Sequence, residues 1–221
     1  SPWTKNLKGA TWNANGLLHS HPALKFLKLG YICQLLEEHD FIVITETHAV
    51  KATQSVADSY LSTNNKTVYW SHFPDDTEHQ AKGGLAIIFN NSFLKQFDKP
   101  AFAEICKGSL GLVRLRAKKG SSAGHARPTL TIIGTYLDPA RAATRKDQFR
   151  TIHNHLSPNE HSIVLGDFNF TSNDQDRFSN VDPKGWKQAD REAAYWKSLL
   201  EDSGKLMELY QPLTTYHHTS R

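Results

Sequence analysis

Two side chains with oxygen atoms that could bind a cation, Asp167 and Asn169, follow a short apolar run late in the 221-residue chain. Residues 163–165 are Ile-Val-Leu, a pattern typical of a buried strand, and Gly166, Asp167 and Asn169 come soon after them. Residues two apart in an extended strand point to the same side, so we expect Asp167 and Asn169 side by side. Gly166 permits an unusual backbone angle or a close backbone approach there. An α/β fold places its chemistry at such strand ends, although a strand followed by an Asx turn explains the same residues.

Two earlier apolar runs end in the same kind of side chain. Glu46 follows the run at 41–45, and Asn13 and Asn15 stand where a short strand breaks at an Asn-Gly turn. Mg²⁺ takes oxygen ligands and keeps several waters, so one or two carboxylates with amide oxygens suffice to hold it. Each residue alone also fits an exposed strand end or a turn. Three apolar runs that end alike favour one shared cation site.

The elements that would position these side chains follow from the hydrophobic period. Further strands are expected at 67–70, 85–89, 110–116 and 130–137, and helices at 141–156 and 189–203. Polar loops are expected at 74–82, 120–127 and 171–185, and a short helical or extended piece at 206–210. Because strands and helices mingle and some strands follow each other directly, the pattern predicts a mixed α/β or α+β sandwich.

Three helices have a predicted inward stripe. The first is about four turns long, with Pro22 at its first position and Ser20 as its cap. Its stripe is expected to consist of Leu24, Leu27, Tyr31 and Leu35, with Ile32 and Leu36 beside them. In the later helices the stripes are expected to be Phe149, Ile152 and Leu156, and Ala193, Trp196 and Leu200.

Composition narrows the class of protein. The net charge of +4 suits a polyanionic partner without establishing one. Cys33 and Cys106 have no CxxC spacing, which argues against a disulfide scaffold or a zinc site. No apolar stretch of 18 residues and no signal-peptide pattern is present, so we expect an intracellular protein without a membrane partner. Residues 1–221 are expected to form a single domain.

Five sequence blocks resemble one known superfamily. They are Thr-Trp-Asn-Ala-Asn-Gly-Leu at 11–17, Ile-Thr-Glu-Thr-His at 44–48, Gly-Gly-Leu-Ala-Ile at 83–87, Gly-Thr-Tyr-Leu-Asp-Pro at 134–139 and Leu-Gly-Asp-Phe-Asn at 165–169. In order and approximate spacing they are similar to the endonuclease/exonuclease/phosphatase superfamily. The resemblance implies a four-layer sandwich in which two mixed β-sheets lie face to face between helices, as in DNase I-like proteins.

Particular positions favour one branch of that superfamily. Tyr136 stands where DNase I-like and lipid-phosphatase-like members tend to have histidine, and Asn15 where several apurinic endonucleases have aspartate. The Glu-Thr-His at 46–48 and the stretch 208–216 look most like endonuclease domains of LINE-type (non-LTR) retrotransposons. The resemblance implies fusion to a reverse transcriptase domain in the natural protein and a nuclear location.

The resemblance also implies a role for each candidate residue. Glu46 and Asn15 would hold Mg²⁺, with Mn²⁺ as a substitute. The catalytic set would be Asp167 activating water, Asn169 placing the water or the phosphate, Tyr136 donating to a phosphate oxygen, and Asn13 in or next to the metal shell. The implied reaction nicks double-stranded DNA to leave a 3′-hydroxyl and a 5′-phosphate, and the 3′-hydroxyl primes reverse transcription.

Substrate contacts are expected from other positions. Thr215 would lie near the substrate phosphate, and Arg141 and His48 are further candidates. Two basic clusters could contact DNA phosphates or simply be solvated faces, namely Arg114, Arg116, Lys118 and Lys119, and Arg141, Arg145 and Lys146.

The chain departs from the family pattern at its end. It finishes at Ser220-Arg221, where the pattern continues with Ile-Asp and a later Ser-Asp-His, and it contains no Ser-Asp-His triplet. We therefore expect a domain truncated at its C-terminus, since His217 and His218 fit a polar surface pair. The alternatives are an apurinic/apyrimidinic-site repair nuclease and a catalytically degenerate module that binds DNA or protein.

Overall fold

The computed structural model of the chain describes residues 6–18, 21–73, 83–119, 127–170 and 191–209. Its strands are β1 Gly9–Asn13, β2 Phe41–Thr45, β3 Lys66–Ser71, β4 Leu85–Asn90, β5 Ala101–Cys106, β6 Leu110–Arg116, β7 Thr129–Tyr136 and β8 His161–Asp167. Its helices are α1 Pro22–Glu38, α2 Lys51–Thr63, α3 Asn91–Leu94, α4 Ala142–His155 and α5 Arg191–Trp196, and a π-helix spans Lys197–Glu201. The predicted loops at 74–82 and 171–185, Ser20, Thr215, Tyr216, His217 and His218 lie outside the described residues, as does the loop at 120–127 except Arg127.

The strands form two mixed sheets of four strands each, in the orders β1-β2-β4-β3 and β5-β6-β7-β8. In the first sheet β1 and β2 run parallel, and in the second β7 and β8 do. The remaining neighbours are antiparallel. The predicted fold class, α/β with two mixed sheets and helices, is confirmed.

The two sheets pack face to face through one apolar cluster. Strand residues alternate between faces, so every second residue of β2, β4, β6 and β7 points into this layer. Phe41 and Phe89 are its largest fully buried side chains, each worth about 1.5–3 kcal/mol of burial free energy. The other strand members are Val43, Leu85, Ile87, Val113, Leu115, Leu130 and Ile132. The predicted alternation of β6 is confirmed for residues 113–116, where Arg114 and Arg116 are exposed and Val113 and Leu115 are buried, but Leu110 and Leu112 are buried as well.

The buried face of helix α1 overlaps only partly with the predicted one, because Ile32 and Leu36 are buried as expected and Leu29 is buried with them. Leu29, Ile32 and Leu36 pack in a cluster with Ile42 and Ile44 of β2. The predicted stripe is wrong at three positions that are exposed, namely Leu24, Leu27 and Tyr31. Apolar residues occupy more than one side of this helix, so period alone could not choose between them. The N-cap is His21 rather than Ser20, whereas Pro22 at the first helical position is confirmed.

Helix α2 and strand β5 were not predicted from the sequence. Helix α2 contains mostly small and polar residues, and it is held by two fully buried side chains, Ala57 and Leu61. Strand β5 is mostly exposed, and its strand conformation comes from antiparallel pairing with β6. Tertiary contacts therefore outweigh weak local propensity in both elements. The short helix α3 was also missed.

The chain divides by its contacts into two compact units, Ser1–Leu137 with Ser157–Phe168, and Asp138–Leu156 with Asn169–Arg221. In the second unit, α4 presents the predicted stripe of Phe149, Ile152 and Leu156, all buried. The ring of Phe149 lies 4.9 Å from that of Trp196 and 5.1 Å from that of Phe170, centroid to centroid.

The predicted helix at 189–203 is only partly correct. The α-helix ends at Trp196 and continues as the π-helix to Glu201. Trp196 and Leu200 are buried as expected, and Ala193 is half-buried. Residues 206–209 are neither helix nor strand, so of the two predicted possibilities, a helical or an extended piece at 206–210, the helix is excluded for those four residues. In the described residues, no helix is long and apolar enough to cross a lipid bilayer.

Arg145 belongs to a buried ion pair and not to an exposed basic cluster. Its guanidinium donates two hydrogen bonds to one carboxylate oxygen of Glu192 and one, of 2.7 Å, to the carbonyl of Asp138. The side chains of Arg145 and Glu192 are only 10% and 5% exposed. The cluster predicted at Arg141, Arg145 and Lys146 therefore loses its central member, because a buried and paired guanidinium cannot contact DNA.

Arg145→Met should lower the free energy of unfolding by about 3–5 kcal/mol, because it leaves the Glu192 carboxylate buried without a partner. Arg150→Met is the matched control on the same helix. Arg150 is exposed in its pair with Asp147, so its loss should cost only about 1 kcal/mol. Urea denaturation of both variants measures the difference. The double variant Arg145→Met/Glu192→Leu should recover most of the lost free energy of unfolding. If Arg145→Met and Arg150→Met lose the same free energy of unfolding, burial of the Arg145 pair does not matter for stability.

Candidate active site at the ends of the parallel strands

The two parallel strand pairs bring four of the candidate side chains together. Asn13 ends β1 beside Thr45 of β2, and Tyr136 ends β7 beside Asp167 of β8. In the face-to-face packing of the sheets, β8 lies against β1 and β2, and β7 lies against β2. The carboxyl ends of all four strands therefore meet at one edge of the sandwich, where α/β folds place their sites.

One amide group bridges two carboxylates at this edge. The Asn13 Nδ2 donates to Glu46 Oε1 at 2.8 Å and to Asp167 Oδ2 at 3.1 Å. The hydroxyl of Tyr136 donates to the same Glu46 Oε1 at 3.3 Å. The site thus has two carboxylates, one from the chain after β2 and one from β8, joined by neutral donors.

The orientation of the Asn13 amide follows from the backbone beside it. The N–H of Asn15 donates to Asn13 Oδ1 at 3.0 Å. Because a backbone N–H requires an acceptor, the oxygen of the amide must lie on that side and the nitrogen toward the carboxylates. Carboxylate oxygens accept hydrogen bonds, so both ends of the amide are satisfied in this orientation only.

The segment that carries Glu46 has a strained backbone. Glu46 and His48 have φ angles of +50° and +47°, and Asn15 has +42°. A positive φ is uncommon for residues other than glycine and costs about 1–2 kcal/mol. Backbone hydrogen bonds hold the segment in place, from Gly16 N to Glu46 O at 2.7 Å and from His48 N to Gly83 O at 2.9 Å. Strain of this kind, where the surroundings enforce it, is typical of functional sites.

His48 lies close to Glu46 and is partly exposed. Its Nε2 is 3.8 Å from Glu46 Oε2, and the two side chains are 31% and 25% exposed. Partial burial lowers the pKa of His48, although the neighbouring Glu46 carboxylate raises it and Lys28 lowers it further. The imidazole is therefore mainly neutral at pH 7, and it can accept or donate a hydrogen bond at the rim of the site.

Gly166 allows β8 to pass close to the backbone of β7, and so it places Asp167 at the site. Its φ is +147°, and a Cβ at this position would lie 2.0 Å from the carbonyl oxygen of Thr135 on β7. The predicted close backbone approach at Gly166 is confirmed, and β8 continues through Asp167. The extended geometry predicted from Asp167 to Asn169 is wrong, because β8 ends at Asp167 and Asn169 has a φ of +51°.

The donors at this edge fit a hard divalent cation. Two carboxylates that share one amide donor repel each other when both are ionised, and a cation between or beside them would relieve that repulsion. In the part of the chain that the structure describes, no group of three or more His, Cys, Asp and Glu side chains could hold a metal ion. Oxygen donors, few carboxylates and an open, partly solvated setting suit Mg²⁺ with water ligands better than a zinc-type site.

The other predicted site residues have less direct geometry. Asn15 is exposed and contributes its backbone N–H to the site. Arg141 is exposed in the second unit and is the N-cap residue of α4, where its N–H donates to Asp138 Oδ1 at 2.8 Å. Asn169 belongs to that unit as well. Their roles, like those of the central residues, stay predictions.

One residue near the site was missed by the sequence reasoning. The ammonium group of Lys28, on α1, donates hydrogen bonds to the backbone carbonyls of Ala14, Asn15 and Gly16. No local signal marks Lys28, which is one of several lysines in a helical pattern. Only the packing of α1 against the loop after β1 shows the contact.

Glu46→Gly should be more stable than Glu46→Ala by about 0.5–1 kcal/mol, because glycine adopts a positive φ without strain. Both variants remove the carboxylate, so their difference isolates the backbone. Gln34 is a control with the opposite sign, since glycine is less stable than alanine by about 1 kcal/mol within a helix. Chemical denaturation of the four variants measures the effect. Equal stability of the two Glu46 variants would show that the backbone there is unstrained.

The chain is similar to several solved structures at low sequence identity, and the one with a TM-score above 0.5 shares its fold. An AP endonuclease (LMAP) from Leishmania major is 16% identical with a TM-score of 0.60, and the alignment covers 89% of this chain and 65% of that one. TDP2 from Caenorhabditis elegans is 16% identical with a TM-score of 0.48, covering 80% of this chain and 51% of that one. The human Nocturnin catalytic domain is 19% identical with a TM-score of 0.45, covering 74% and 64%. The chain thus spans between half and two thirds of the length of these structures.

Comparisons of the sequence with known proteins give one family match. A search of curated protein sequences finds no significant match. The model of the Endonuclease/Exonuclease/phosphatase family matches residues 10–221, which is nearly the whole chain and includes all four strand ends. The chain belongs to the endonuclease/exonuclease/phosphatase family.

Proposed function

We propose that this chain is the endonuclease domain of a LINE-type retrotransposon protein. It nicks one phosphodiester bond of double-stranded DNA in the nucleus, with Mg²⁺ or, as a substitute, Mn²⁺. The products are a 3′-hydroxyl and a 5′-phosphate, and the 3′-hydroxyl primes a fused reverse transcriptase domain. Tyr136, Asn15 and the Glu-Thr-His at 46–48 support the LINE branch by their resemblance to it.

The observation that carries the proposal is the shared donor between two carboxylates. Asn13 Nδ2 lies within hydrogen-bond distance of Glu46 and Asp167, and Tyr136 donates to Glu46 as well. Hydrolysis of a phosphodiester needs charge stabilisation on one side of the phosphate and an activated water on the other. Two carboxylates from different sheets, separated by neutral donors, offer one group for each task.

Glu46 is the principal ligand for the cation, with Asn13 and Asn15 in or next to its shell. When bound, Mg²⁺ supplies positive charge to the phosphate and to the leaving oxygen. The backbone at Glu46 is held by hydrogen bonds, and Glu46 Oε1 accepts from Asn13 and Tyr136, so the carboxylate is held in advance of binding. A ligand held in advance loses less entropy when the cation and the DNA arrive.

Asp167 orients or deprotonates the attacking water. Its Oδ2 accepts a hydrogen bond from the Asn13 amide, which holds the carboxylate at the site. Asn169 then places the water or the phosphate through its amide. Tyr136 changes its partner during the reaction, because its hydroxyl, which donates to Glu46 in this state, is needed by a non-bridging phosphate oxygen as negative charge develops there.

DNA binding is expected to depend mainly on phosphate contacts close to this edge. Arg116 pairs with Thr129, at the opposite end of β7 from Tyr136, and an eight-residue strand spans about 25 Å. Arg114 is also engaged by Glu160 at 3.3 Å. The basic cluster at 114–119 therefore contacts DNA only well away from the scissile phosphate. Contacts at the cut itself come from His48, Thr215 and Arg141 in our proposal.

Asp167→Asn and Glu46→Gln should each reduce nicking by the natural full-length protein by about 10²–10⁴-fold, because each removes a charge from the reaction while preserving side-chain shape. Relaxation of supercoiled plasmid in Mg²⁺ measures the rate. Asp147→Asn makes the same chemical change at a carboxylate that is 71% exposed on α4, and it should leave the rate unchanged. Nicking that persists in both site variants would overturn the assignment. Wild-type protein that binds DNA without nicking it would instead favour a degenerate binding module.

Abasic DNA is the second substrate to test, because the Leishmania major structure with the same fold is an AP endonuclease. A LINE-type nuclease should cut intact duplex and a duplex with one abasic site at rates within about tenfold of each other. A repair nuclease should cut the abasic duplex faster by about 10³-fold or more, which is the discrimination that a site built for one polar feature can reach. Gel assays of the two matched oligonucleotides decide between them.

A further inference from the structure

The loop after β1 has an unusual arrangement of carbonyl groups. In an extended strand, successive carbonyls point in opposite directions. The positive φ angles of Asn15 and Gly16, +42° and +83°, end that alternation. Three successive carbonyls, those of Ala14, Asn15 and Gly16, then lie around one point.

The Lys28 ammonium group occupies that point. Its Nζ lies 2.7 Å from the oxygen of Ala14, 3.0 Å from that of Asn15 and 2.8 Å from that of Gly16. An ammonium has three N–H donors, so the three carbonyls accept all of them. Burial lowers the pKa of Lys28, and the carbonyls replace the water that it has lost.

The N–H groups of the same loop donate hydrogen bonds to partners other than Lys28. Those of Ala14 and Gly16 donate to the carbonyls of Thr45 and Glu46, at 2.9 and 2.7 Å. The N–H of Asn15 donates to Asn13 Oδ1. The loop is thus held by Lys28 through its carbonyls and by β2 and the chain after it through its N–H groups.

We propose that Lys28 is a positioning residue of the active site, which holds the loop at 13–16 in the conformation that turns the Asn13 amide toward Glu46 and Asp167. Without the ammonium group, the three carbonyl oxygens have to accept hydrogen bonds from water. They can do this only if their peptide units rotate. Rotation of the unit before Asn15 withdraws the N–H that orients Asn13. The relevance of this to catalysis rests on the proposed function, but the positioning itself does not.

Hydrogen exchange of the Asn13 side-chain amide tests the positioning in metal-free protein. In Lys28→Met, the Nδ2 protons should exchange at least tenfold faster by NMR, because the amide no longer has its backbone anchor. Lys25→Met is the matched control, since Lys25 is on the same helix and its side chain makes no hydrogen bond or ion pair within the described residues. Exchange in Lys28→Met that equals wild type, or that is matched by Lys25→Met, would overturn the inference. If Lys28→Met does not fold, Lys28→Gln, which keeps an N–H donor, should show an intermediate rate, and a wild-type rate there would count against it equally.

Mn²⁺ affinity, measured by electron paramagnetic resonance, links this positioning to the cation site. The dissociation constant should rise roughly 10- to 100-fold in Lys28→Met and not in Lys25→Met, as when other outer partners of metal ligands are removed. Unchanged affinity in Lys28→Met would separate Lys28 from the cation site and contradict its role there. Wild-type protein that binds no Mn²⁺ would contradict the metal site of the proposed function, while the exchange comparison still decides what Lys28 does.

Discussion

The Asn13 amide is the contact on which the geometry of the site depends. Its nitrogen reaches a carboxylate after β2 in one sheet and a carboxylate at the end of β8 in the other. The two sheets must therefore keep their relative position to within the tolerance of a hydrogen bond, which weakens steeply beyond about 3.2 Å. The close-packed layer between the sheets provides that constraint, because its interdigitated side chains resist sliding.

Around this amide, several residues have strained backbone conformations, and these conformations fix the positions of the site side chains. Asn15, Glu46 and His48 all have positive φ, and Gly166 approaches the β7 backbone more closely than any side chain would allow. None of these conformations is favoured locally. Hydrogen bonds to the backbone of Gly83 and Gly84 and from the side chain of Lys28 offset this strain energy, and all three of these residues lie outside the strained set. The free-energy cost of these conformations falls where two carboxylates must lie close together. This is expected if natural selection favoured activity over stability at the site.

Much of the framework could be predicted from local pattern. The apolar runs at 41–45, 85–89 and 130–137 became β2, β4 and β7 to within one residue, since such runs are buried whichever sheet they join. Helix α2 and strand β5 could not be found in this way, because packing against the core stabilises α2 and pairing with β6 stabilises β5, and neither element has a strong pattern of its own. The buried face of α1 was predicted only in part, with Ile32 and Leu36 correct and Leu24, Leu27 and Tyr31 wrong. Its apolar residues occur on several sides, and only the position of β2 selects Leu29, Ile32 and Leu36.

For the site, residue types and strand ends were enough to select Asn13, Glu46, Tyr136 and Asp167 as candidates, because an oxygen-bearing side chain after an apolar run is a local property, even though β1 and β8 are only partly buried. Their meeting is not local. It depends on two parallel pairings, Asn13 with Thr45 and Tyr136 with Asp167, and on the packing of one sheet against the other. The same holds for the buried pairing of Arg145, which looked like a surface charge, and for Lys28, whose three carbonyl partners lie 12 to 14 residues before it. Sequence specifies which groups are available, and folding specifies their neighbours, because hydrogen bonds and ion pairs act over a few ångströms of space and not along the chain.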